Sequence, residues 1–244
     1  PASTDSFFGV VMGEQLAIGT PSDATVTSAK LSGDLQTPGN LTIAGTTPTL
    51  TVGDAGAEDA KIVFDGNAQD FHIGLDDTAD DLVIGLGSAL GTTTHMAFTE
   101  SGEITKPLQP AFQVVPASTQ SDLSANAYTT IAFGTERFDV GSNFASNTFT
   151  APVTGKYAIF VSLRLNNLDS AADNYGLYLE TSNKQYHALV DPDFGQDAAF
   201  WPAHFNMVVD LDASDTCYVR IYQAAGSAQT DVDTGSVFGG CLVC

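Results

Sequence analysis

The chain has 244 residues, of which 43% are hydrophobic and 15% charged. This length allows one large β domain or two modest ones. Eight basic and 29 acidic residues give a formal charge of −21, so the surface repels nucleic acid and anionic lipid headgroups, and we exclude nucleic-acid binding as a main role. No stretch approaches the roughly 20 apolar residues that cross a bilayer, and the first residues lack a signal-peptide pattern. These features predict a soluble chain, or the mature part of one, without membrane insertion.

The hydrophobic pattern predicts an all-β protein. No long window keeps apolar residues at helical spacing. Short β-prone runs recur instead, among them KIVF, FHIGL, KYAIFVSLRL and CYVRIY, and turn-rich clusters separate them.

Residues 1–48 form the first predicted segment. Its apolar residues lie in SFFGVVMGEQLAIGT, and Pro21, Pro38 and Pro48 interrupt the segment, so it cannot form a compact core alone. Two interpretations stay open: the segment docks on another protein, or it adds a strand to the neighbouring domain.

Residues 49–105 contain a repeat of roughly ten residues: LTVGD at 50–54, KIVFD at 61–65, FHIGL at 71–75, LVIGL at 82–86 and a weaker MAFTE at 96–100. Each unit is one strand plus one turn, which cannot bury its apolar face alone. We therefore predict that three copies of the chain close a shared core around a common axis and form a trimeric β shaft.

The connectors of this repeat are acidic, with nine acids and one Lys between Asp54 and Asp81. They could bind a divalent cation through carboxylate oxygens, or they could be solvated turns whose charge keeps strand edges apart. Their spacing does not match that of a calcium-binding loop, which favours solvated turns.

A Pro-bearing connector, residues 106–110, precedes a change in composition. All seven Tyr, the single Trp and all three Arg follow residue 110. Aromatic-rich strands over residues 111–244 are sufficient for a sandwich core. In GKYAIFVSLRL, alternation places the odd-numbered residues from Tyr157 to Leu165 on one face and Phe160 with Arg164 on the other.

This second domain resembles the globular head of complement component one, subcomponent q. The resemblance lies in residues 111–118, 129–165, 208–223 and 236–243, and its most specific pieces are FTAPVTGKY at 149–157 and the closing SVFGG. It implies a ten-stranded jelly roll, shared with tumour necrosis factor, and a homotrimer with the C-terminal strand near the threefold axis. On this basis we expect a trimer interface that includes Phe160, Val237, Phe238, Leu242 and Val243.

The repeat half resembles a different group. KIVFDGNAQDFHIGLDDTADDLVIGLG, with FFGVVMGEQ before it, is similar to segments of virion fibre and tail proteins of marine bacteriophages. The two resemblances together imply a short trimeric β-repeat shaft followed by a C-terminal jelly-roll sandwich that resembles a receptor-binding tip.

The sequence lacks GxSxG, HExxH, a phosphate-binding loop and a GxGxxG before a helix, so we predict no enzyme activity and no cofactor, with Ca²⁺ as the one open case. His72 alternates with Phe71 and Ile73, and we expect it to face solvent. The three cysteines, Cys217, Cys241 and Cys244, are predicted to be small buried residues. A labile or inter-subunit bridge, or zinc, stays open for them.

We predict that the segment of residues 184–205 binds the receptor, because its aromatic side chains lie near carboxylates and because loops on rigid β scaffolds often carry binding functions. The predicted set is Tyr186, His187, Asp191, Asp193, Phe194, Trp201 and His204. Alternatively, Trp201 and Phe205 fill the core and the acids form a solvated turn. A Ca²⁺ site at Asp191, Asp193 and Asp197 is a third interpretation.

These features favour a non-enzymatic phage structural protein located on the virion. Its N-terminal segment binds other virion proteins, its trimeric shaft projects, and its head contacts a host surface glycan or protein. An alternative is a capsid fibre or decoration protein that projects from the shell or reinforces it. A hydrolase that acts on host glycans is a third hypothesis.

Overall fold

The structure is a computed structural model that describes residues 39–244. Within these residues the regular elements are all β-strands, which confirms the predicted all-β class. No helix in the described part of the chain is long and apolar enough to cross a membrane. The strands are β1 Ala60–Phe64, β2 Phe71–Asp76, β3 Asp81–Leu86, β4 Thr94–Phe98, β5 Ile104–Thr105, β6 Ala111–Val115, β7 Tyr128–Thr130, β8 Thr135–Asp139, β9 Phe144–Ala145, β10 Thr148–Thr150, β11 Gly155–Leu168, β12 Asn174–Thr181, β13 Gln185–Val190, β14 Ala198–Leu211, β15 Thr216–Ala224, β16 Asp231–Val232 and β17 Val237–Leu242.

The chain divides into two units, with the boundary between residues 51 and 52. Most of the predicted docking segment, residues 1–38, lies outside the described residues, so both interpretations of it stay predictions. Its described part, residues 39–48, contains no strand and is exposed. The predicted domain boundaries at residues 48, 105 and 110 also stay predictions.

Strands β1 to β5 form one antiparallel sheet in chain order, which we call the meander. Four of the five predicted repeat units are strands β1 to β4 in this sheet. The first unit, LTVGD, is not a strand: Leu50 and Val52 are exposed, and Gly53 has a φ of +100°, which interrupts an extended conformation.

The meander has one face made of large apolar side chains. The strand register brings Ile62, Ile73, Ile84 and Met96 into one row across the sheet, with parallel rows on either side. Seven side chains of this face are between 38% and 60% exposed in the single chain. We call this surface the meander apolar face; its members are Ile62, Phe64, Phe71, Ile73, Leu75, Leu82, Ile84, Leu86, Met96, Phe98 and Ile104.

The opposite face of the meander carries smaller side chains and is buried on β2 to β4, while Val63 on β1 is 37% exposed. A Cβ on Gly85 would lie 2.5 Å from the Thr93 carbonyl oxygen and 2.6 Å from the His72 ring, so the loop 87–93 packs directly on the sheet there. His72 is fully buried under this loop, and its Nδ1 donates a hydrogen bond to the Gly87 carbonyl oxygen at 2.9 Å. The expectation that His72 faces solvent is therefore wrong, because the smaller face of the sheet is the buried one.

Strands β6 to β17 form a sandwich of two six-stranded antiparallel sheets, which we call the head. Sheet I has the order β14-β11-β17-β6-β8, with β16 paired to β11, and sheet II has the order β13-β12-β15-β10-β9, with β7 paired to β15. The head thus has twelve strands where the resemblance implied ten. The additional pairings involve strands of only two or three residues.

The core of the head comes from inward residues of both sheets. The predicted inward face of β11, the odd-numbered residues from Tyr157 to Leu165, is confirmed, with every member at most 1% exposed. Phe112 of sheet I stacks on Phe149 of sheet II with ring centroids 4.5 Å apart. Cys217 is buried among these residues, as predicted, whereas Cys241 and Cys244 are exposed, which corrects the prediction for those two.

Strand β17 divides the predicted interface residues between two faces. Phe238 is fully buried in the core of its own sandwich, and Leu242 packs against that core, because residues two apart on a strand share a face. The assignment of Phe238 to a trimer interface is therefore wrong, whereas the assignment of the partly buried Leu242 stays a prediction. Val237 pairs with Ser162 on the outer face of sheet I, and Val243 follows the strand and is exposed.

Candidate functional site

The predicted receptor-binding segment runs along one side of the head. It comprises β13, the loop 191–197 and β14, and these strands are the edges of sheets II and I. Residues of both edge strands line one cavity between the sheets, so this segment borders the gap between them.

The predicted residues of this segment do not come together as one site. Tyr186 and Trp201 pack against the core from the two edge strands. His187 lies on the outer face of sheet II, where its ring is 5.5 Å from that of Tyr178, and His204 pairs with Ser162 on the outer face of sheet I. The alternation along each strand separates the two histidines onto opposite faces of the sandwich. Trp201 and Phe205 both pack against the core, in agreement with the alternative interpretation.

The loop between β13 and β14 presents exposed acids and one aromatic ring. Phe194 is 40% exposed, and its ring stacks on Trp201 with centroids 4.7 Å apart. The backbone N–H of Asp193 donates to the Asp191 carboxylate, which forms a local turn. The loop therefore holds Phe194 against Trp201 while its carboxylates point into solvent.

Asp197 is bound to a different part of the head. Its carboxylate accepts hydrogen bonds from the backbone N–H and the hydroxyl of Ser170 and from the amide of Gln229. These bonds, that from the Ser170 N–H first, lower the pKa of Asp197. Within residues 39–244 no group of three or more His, Cys, Asp or Glu side chains is placed to hold a metal ion, and this includes the acidic turns of the meander.

An apolar cavity of about 240 Å³ lies between the edges of the two sheets. It reaches the surface, because Leu189, Pro202 and His204 are lining residues and exposed. Its lining comes from five strands of both sheets: Leu165, Tyr175, Leu177, Ala188, Leu189, Val190, Trp201, Pro202, Ala203, His204 and Ile221.

Two lining residues, Tyr175 and Trp201, carry buried polar atoms, and only that of Tyr175 has hydrogen-bond partners. The Tyr175 hydroxyl lies 2.6 Å from the Thr230 hydroxyl and accepts the Asp169 backbone N–H, and burial raises the pKa of Tyr175. The indole Nε1 of Trp201 is buried and has no hydrogen-bond partner. An indole nitrogen only donates, so this buried N–H is an unused donor.

A second surface was not predicted from the sequence. On the outer face of sheet II, the ring of Tyr128 lies 5.1 Å from that of Tyr178 and 4.9 Å from that of Tyr222. The Arg220 guanidinium lies 4.4 Å from the centre of the Tyr128 ring and forms an ion pair with Glu180. The signal was the alternation in CYVRIY, where every second residue is aromatic or charged.

The outer face of sheet I carries apolar side chains near Phe160. The Phe160 ring lies over the backbone of Gly239, and the neighbouring Val208 is 60% exposed. Phe138 continues this row at the other edge of the sheet and is 48% exposed. Half-exposed large apolar residues on one sheet face are typical of surfaces that contact another chain. Phe160 and Val237 thus lie where an interface could form.

The comparisons with known proteins concern the head. No curated protein matches the chain. The solved globular domain of zebrafish complement 1qA protein is similar at 20% identity and a TM-score of 0.42, covering 56% of this chain and 98% of that one. Crystal structures of murine APRIL at pH 8.5 and pH 8.0 are similar at 13% identity, with TM-scores of 0.41 and 0.42, and cover 55% of this chain and 99% of theirs. The family model of the C1q domain matches residues 111–243, more than half of the sequence, and the chain therefore belongs to the C1q domain family.

Proposed function

We propose that this protein is a trimeric, non-enzymatic appendage of a bacteriophage virion, of the tail-fibre or spike type, whose C1q-domain tip binds the host cell surface. The N-terminal segment attaches the trimer to other virion proteins. The alternative within the same class is a fibre or decoration protein of the capsid.

The observation that carries this proposal is the meander apolar face. Seven of its side chains keep roughly half of their surface in water in the single chain. Burying that half contributes about 1 kcal/mol per side chain, or about 7 kcal/mol per chain. A five-stranded sheet with such a face lacks a core of its own, and further copies of the same sheet are the partners that a repeat sequence supplies.

The head favours three copies. The family resemblance implies a threefold arrangement, and the apolar residues around Phe160 and Val208 on the outer face of sheet I supply a surface for it. A threefold axis through the head also brings three meanders together. Three heads on one particle would bind a surface by avidity, because each bound head raises the effective concentration of the others.

The virion assignment rests on the resemblance of the repeat to phage fibre and tail segments, and an experiment on particles tests it. Virions that carry this protein would be incubated with a gold-labelled antibody raised against the full chain and then imaged. Labelling at the tail supports the tail-fibre proposal, and labelling over the shell supports the capsid alternative. Absence of label together with absence of the peptide from purified virions overturns both.

The binding role is tested separately with the purified protein. Fluorescent full-length protein should bind intact host cells, and dissociated single chains should bind much more weakly because avidity is lost. The same samples, incubated with host envelope polysaccharide, should release no new reducing ends. Release of reducing ends would replace the binding role with hydrolysis of host glycans.

A further inference from the structure

The outer face of sheet II carries a group of aromatic and charged side chains that do not belong to the core of the head. The strand register places them side by side on β7, β15, β12 and β13. We call this group the tyrosine surface; its members are Tyr128, Tyr178, Glu180, His187, Arg220 and Tyr222. It lies on the side of the sandwich opposite the outer face of sheet I, so it stays accessible when sheet I forms the proposed contact between heads.

Tyr128 is exposed and nevertheless held in place. It is 49% exposed, although its ring contacts the rings of Tyr178 and Tyr222 and the Arg220 guanidinium. The Tyr178 ring lies over Gly176, whose missing side chain leaves room for it. A side chain that is already fixed loses little conformational entropy on binding, so Tyr128 is suited to contact a ligand.

Arg220 and Glu180 provide hydrogen-bonding atoms without partners. The Arg220 Nε donates to Glu180 Oε1 at 3.0 Å, Arg220 Nη2 donates to the same oxygen, and Gln185 Nε2 donates to it at 2.8 Å. Within the described residues, Glu180 Oε2 accepts no hydrogen bond and Arg220 Nη1 donates none. Both side chains are partly exposed, and neither atom is closed to water. The tyrosine surface therefore presents a charged acceptor and a charged donor side by side.

These features favour a neutral carbohydrate as the ligand. A sugar hydroxyl both donates and accepts, so two adjacent hydroxyls can bind Nη1 and Oε2 together through charge-assisted hydrogen bonds. The C–H groups of a sugar ring pack against aromatic side chains. Glu180 and the net charge of −21 repel an anion, and a cation would compete with Arg220 for Glu180.

We propose that the tyrosine surface binds a neutral glycan of the host cell surface, with adjacent sugar hydroxyls bound to Arg220 Nη1 and Glu180 Oε2 and the sugar ring packed against Tyr128. This inference rests on the proposed host-binding function and names its ligand class and its site. Of the residues predicted from the sequence to bind the receptor, the tyrosine surface contains His187.

A direct binding measurement tests the ligand class. Host envelope polysaccharide is separated by anion exchange into a neutral and an acidic fraction, and each fraction is passed over the immobilised full chain. The neutral fraction should bind, and the acidic fraction should bind more weakly because the negative protein repels it. Absence of binding by the neutral fraction, or equal or tighter binding by the acidic fraction, overturns the inference.

Treated host cells separate a failure of this inference from a failure of the proposed function. Fluescent labelling of the full chain allows binding to be compared between untreated cells, cells treated with periodate, which cleaves the vicinal diols of sugars, and cells treated with a proteinase. Binding should be lost after periodate and retained after the proteinase. Binding that survives periodate overturns the glycan assignment and leaves the host-binding function intact. A chain that binds the neutral fraction but not untreated cells contradicts the host-binding function instead.

Two pairs of variants test the site with the neutral fraction as the probe. Glu180→Gln removes the charged acceptor and should lower the affinity roughly tenfold. Glu136→Gln removes the same charge at an exposed position on β8 and should leave the affinity unchanged. Tyr128→Ala removes the exposed ring and should lower the affinity roughly fivefold, whereas Tyr128→Phe keeps the ring and should retain most of the binding. Wild-type affinity in Glu180→Gln or in Tyr128→Ala would show that the glycan binds elsewhere.

Discussion

The meander and the head use the same alternation of side chains, but they differ in which face of the sheet is buried. In the head, two sheets cover each other, and large residues such as Phe112, Tyr157 and Phe238 are fully buried within one chain. In the meander, the covered face is the one with Gly74, Gly85 and His72, and the large residues lie on the open face. The comparison teaches that pairing strands into a sheet does not by itself bury large apolar side chains, because these need a second layer to cover them.

The largest expected effect is on association through the meander apolar face. Ile62 and Val63 are neighbours on β1, are 44% and 37% exposed, and lie on opposite faces of the sheet. In the proposed trimer, Ile62→Asp places a carboxylate in the shared core and should dissociate the three chains at micromolar concentration, because an unpaired buried charge costs several kcal/mol. Val63→Asp is the matched control and should remain trimeric. Sedimentation velocity measures both.

Two outcomes of that measurement would contradict the comparison. A monomeric wild-type chain at micromolar concentration would show that the meander is stable with its apolar face in water. Equal sedimentation of the two variants would show that the two faces of β1 do not differ in their contacts.

The next effect separates the stability of the head from that of the assembly. Phe112 contacts the rings of Phe149, Phe144 and Phe238, so Phe112→Ala should lower the free energy of unfolding of the head by about 3 to 5 kcal/mol. Phe64→Ala, at a position that is 60% exposed in the single chain, should act through association instead. Urea unfolding at several protein concentrations distinguishes the variants. The loss should be independent of concentration for Phe112→Ala and larger at low concentration for Phe64→Ala.

A third prediction uses a thiol as a probe of the head alone. Burial raises the pKa of the Cys217 thiol, so this thiol stays neutral and unreactive in the folded head. Cys244 is exposed and should react with iodoacetamide at once. The Ile62→Asp variant is labelled briefly at a concentration at which its chains are dissociated. Mass spectrometry should then find Cys217 unmodified. Rapid labelling of Cys217 in that variant would mean that the head has no stability of its own.

The sequence predicted those parts of the fold that follow from alternation within one strand. The inward face of β11 and the strands of KIVFD, FHIGL and LVIGL needed only a period of two. The burial of His72 and the exposure of the large residues beside it could not be predicted in this way. Which face of a sheet is covered depends on where a loop folds, and the loop 87–93 is joined to the sheet by contacts at Gly85 and Gly87 that the pattern does not reveal.

The candidate site was only partly predictable for a related reason. The segment of residues 184–205 was chosen for its composition, but neighbours along a strand face opposite ways, so His187 and Tyr186 cannot act together on one ligand. The same rule applied to β17 separates Phe238 from Val237 without any structure. The cavity beside Trp201 needed the three-dimensional structure, because its lining comes from five strands that are distant in the sequence.

The smallest expected effect is a pH dependence that belongs to the head. The Asp233 carboxylate accepts hydrogen bonds from the Gly235 backbone N–H at 2.8 Å and from the Asn166 amide at 3.1 Å, and Arg164 lies 3.6 Å away. These contacts, the Gly235 N–H first, lower the pKa of Asp233. The folded head therefore prefers the ionised carboxylate.

A lowered pKa in the folded state fixes the sign of this dependence. The stabilisation is complete above the ordinary carboxyl pKa of about 4 and is lost as the pH falls through the lower value of the folded head. Asp233→Asn should thus flatten the acid side of the stability profile, by about 1 kcal/mol or less, since Arg164 is half exposed. Asp210→Asn is the control, because Asp210 pairs with Lys156 at an exposed position.

The measurement uses Cys217, which lies in the core of the head. The pH at which the Cys217 thiol begins to react with a disulfide reagent reports on the unfolding of the head specifically. If Asp233→Asn instead shifts the pH of trimer dissociation and leaves Cys217 reactivity unchanged, the acid-sensitive contacts lie between chains and not within the head.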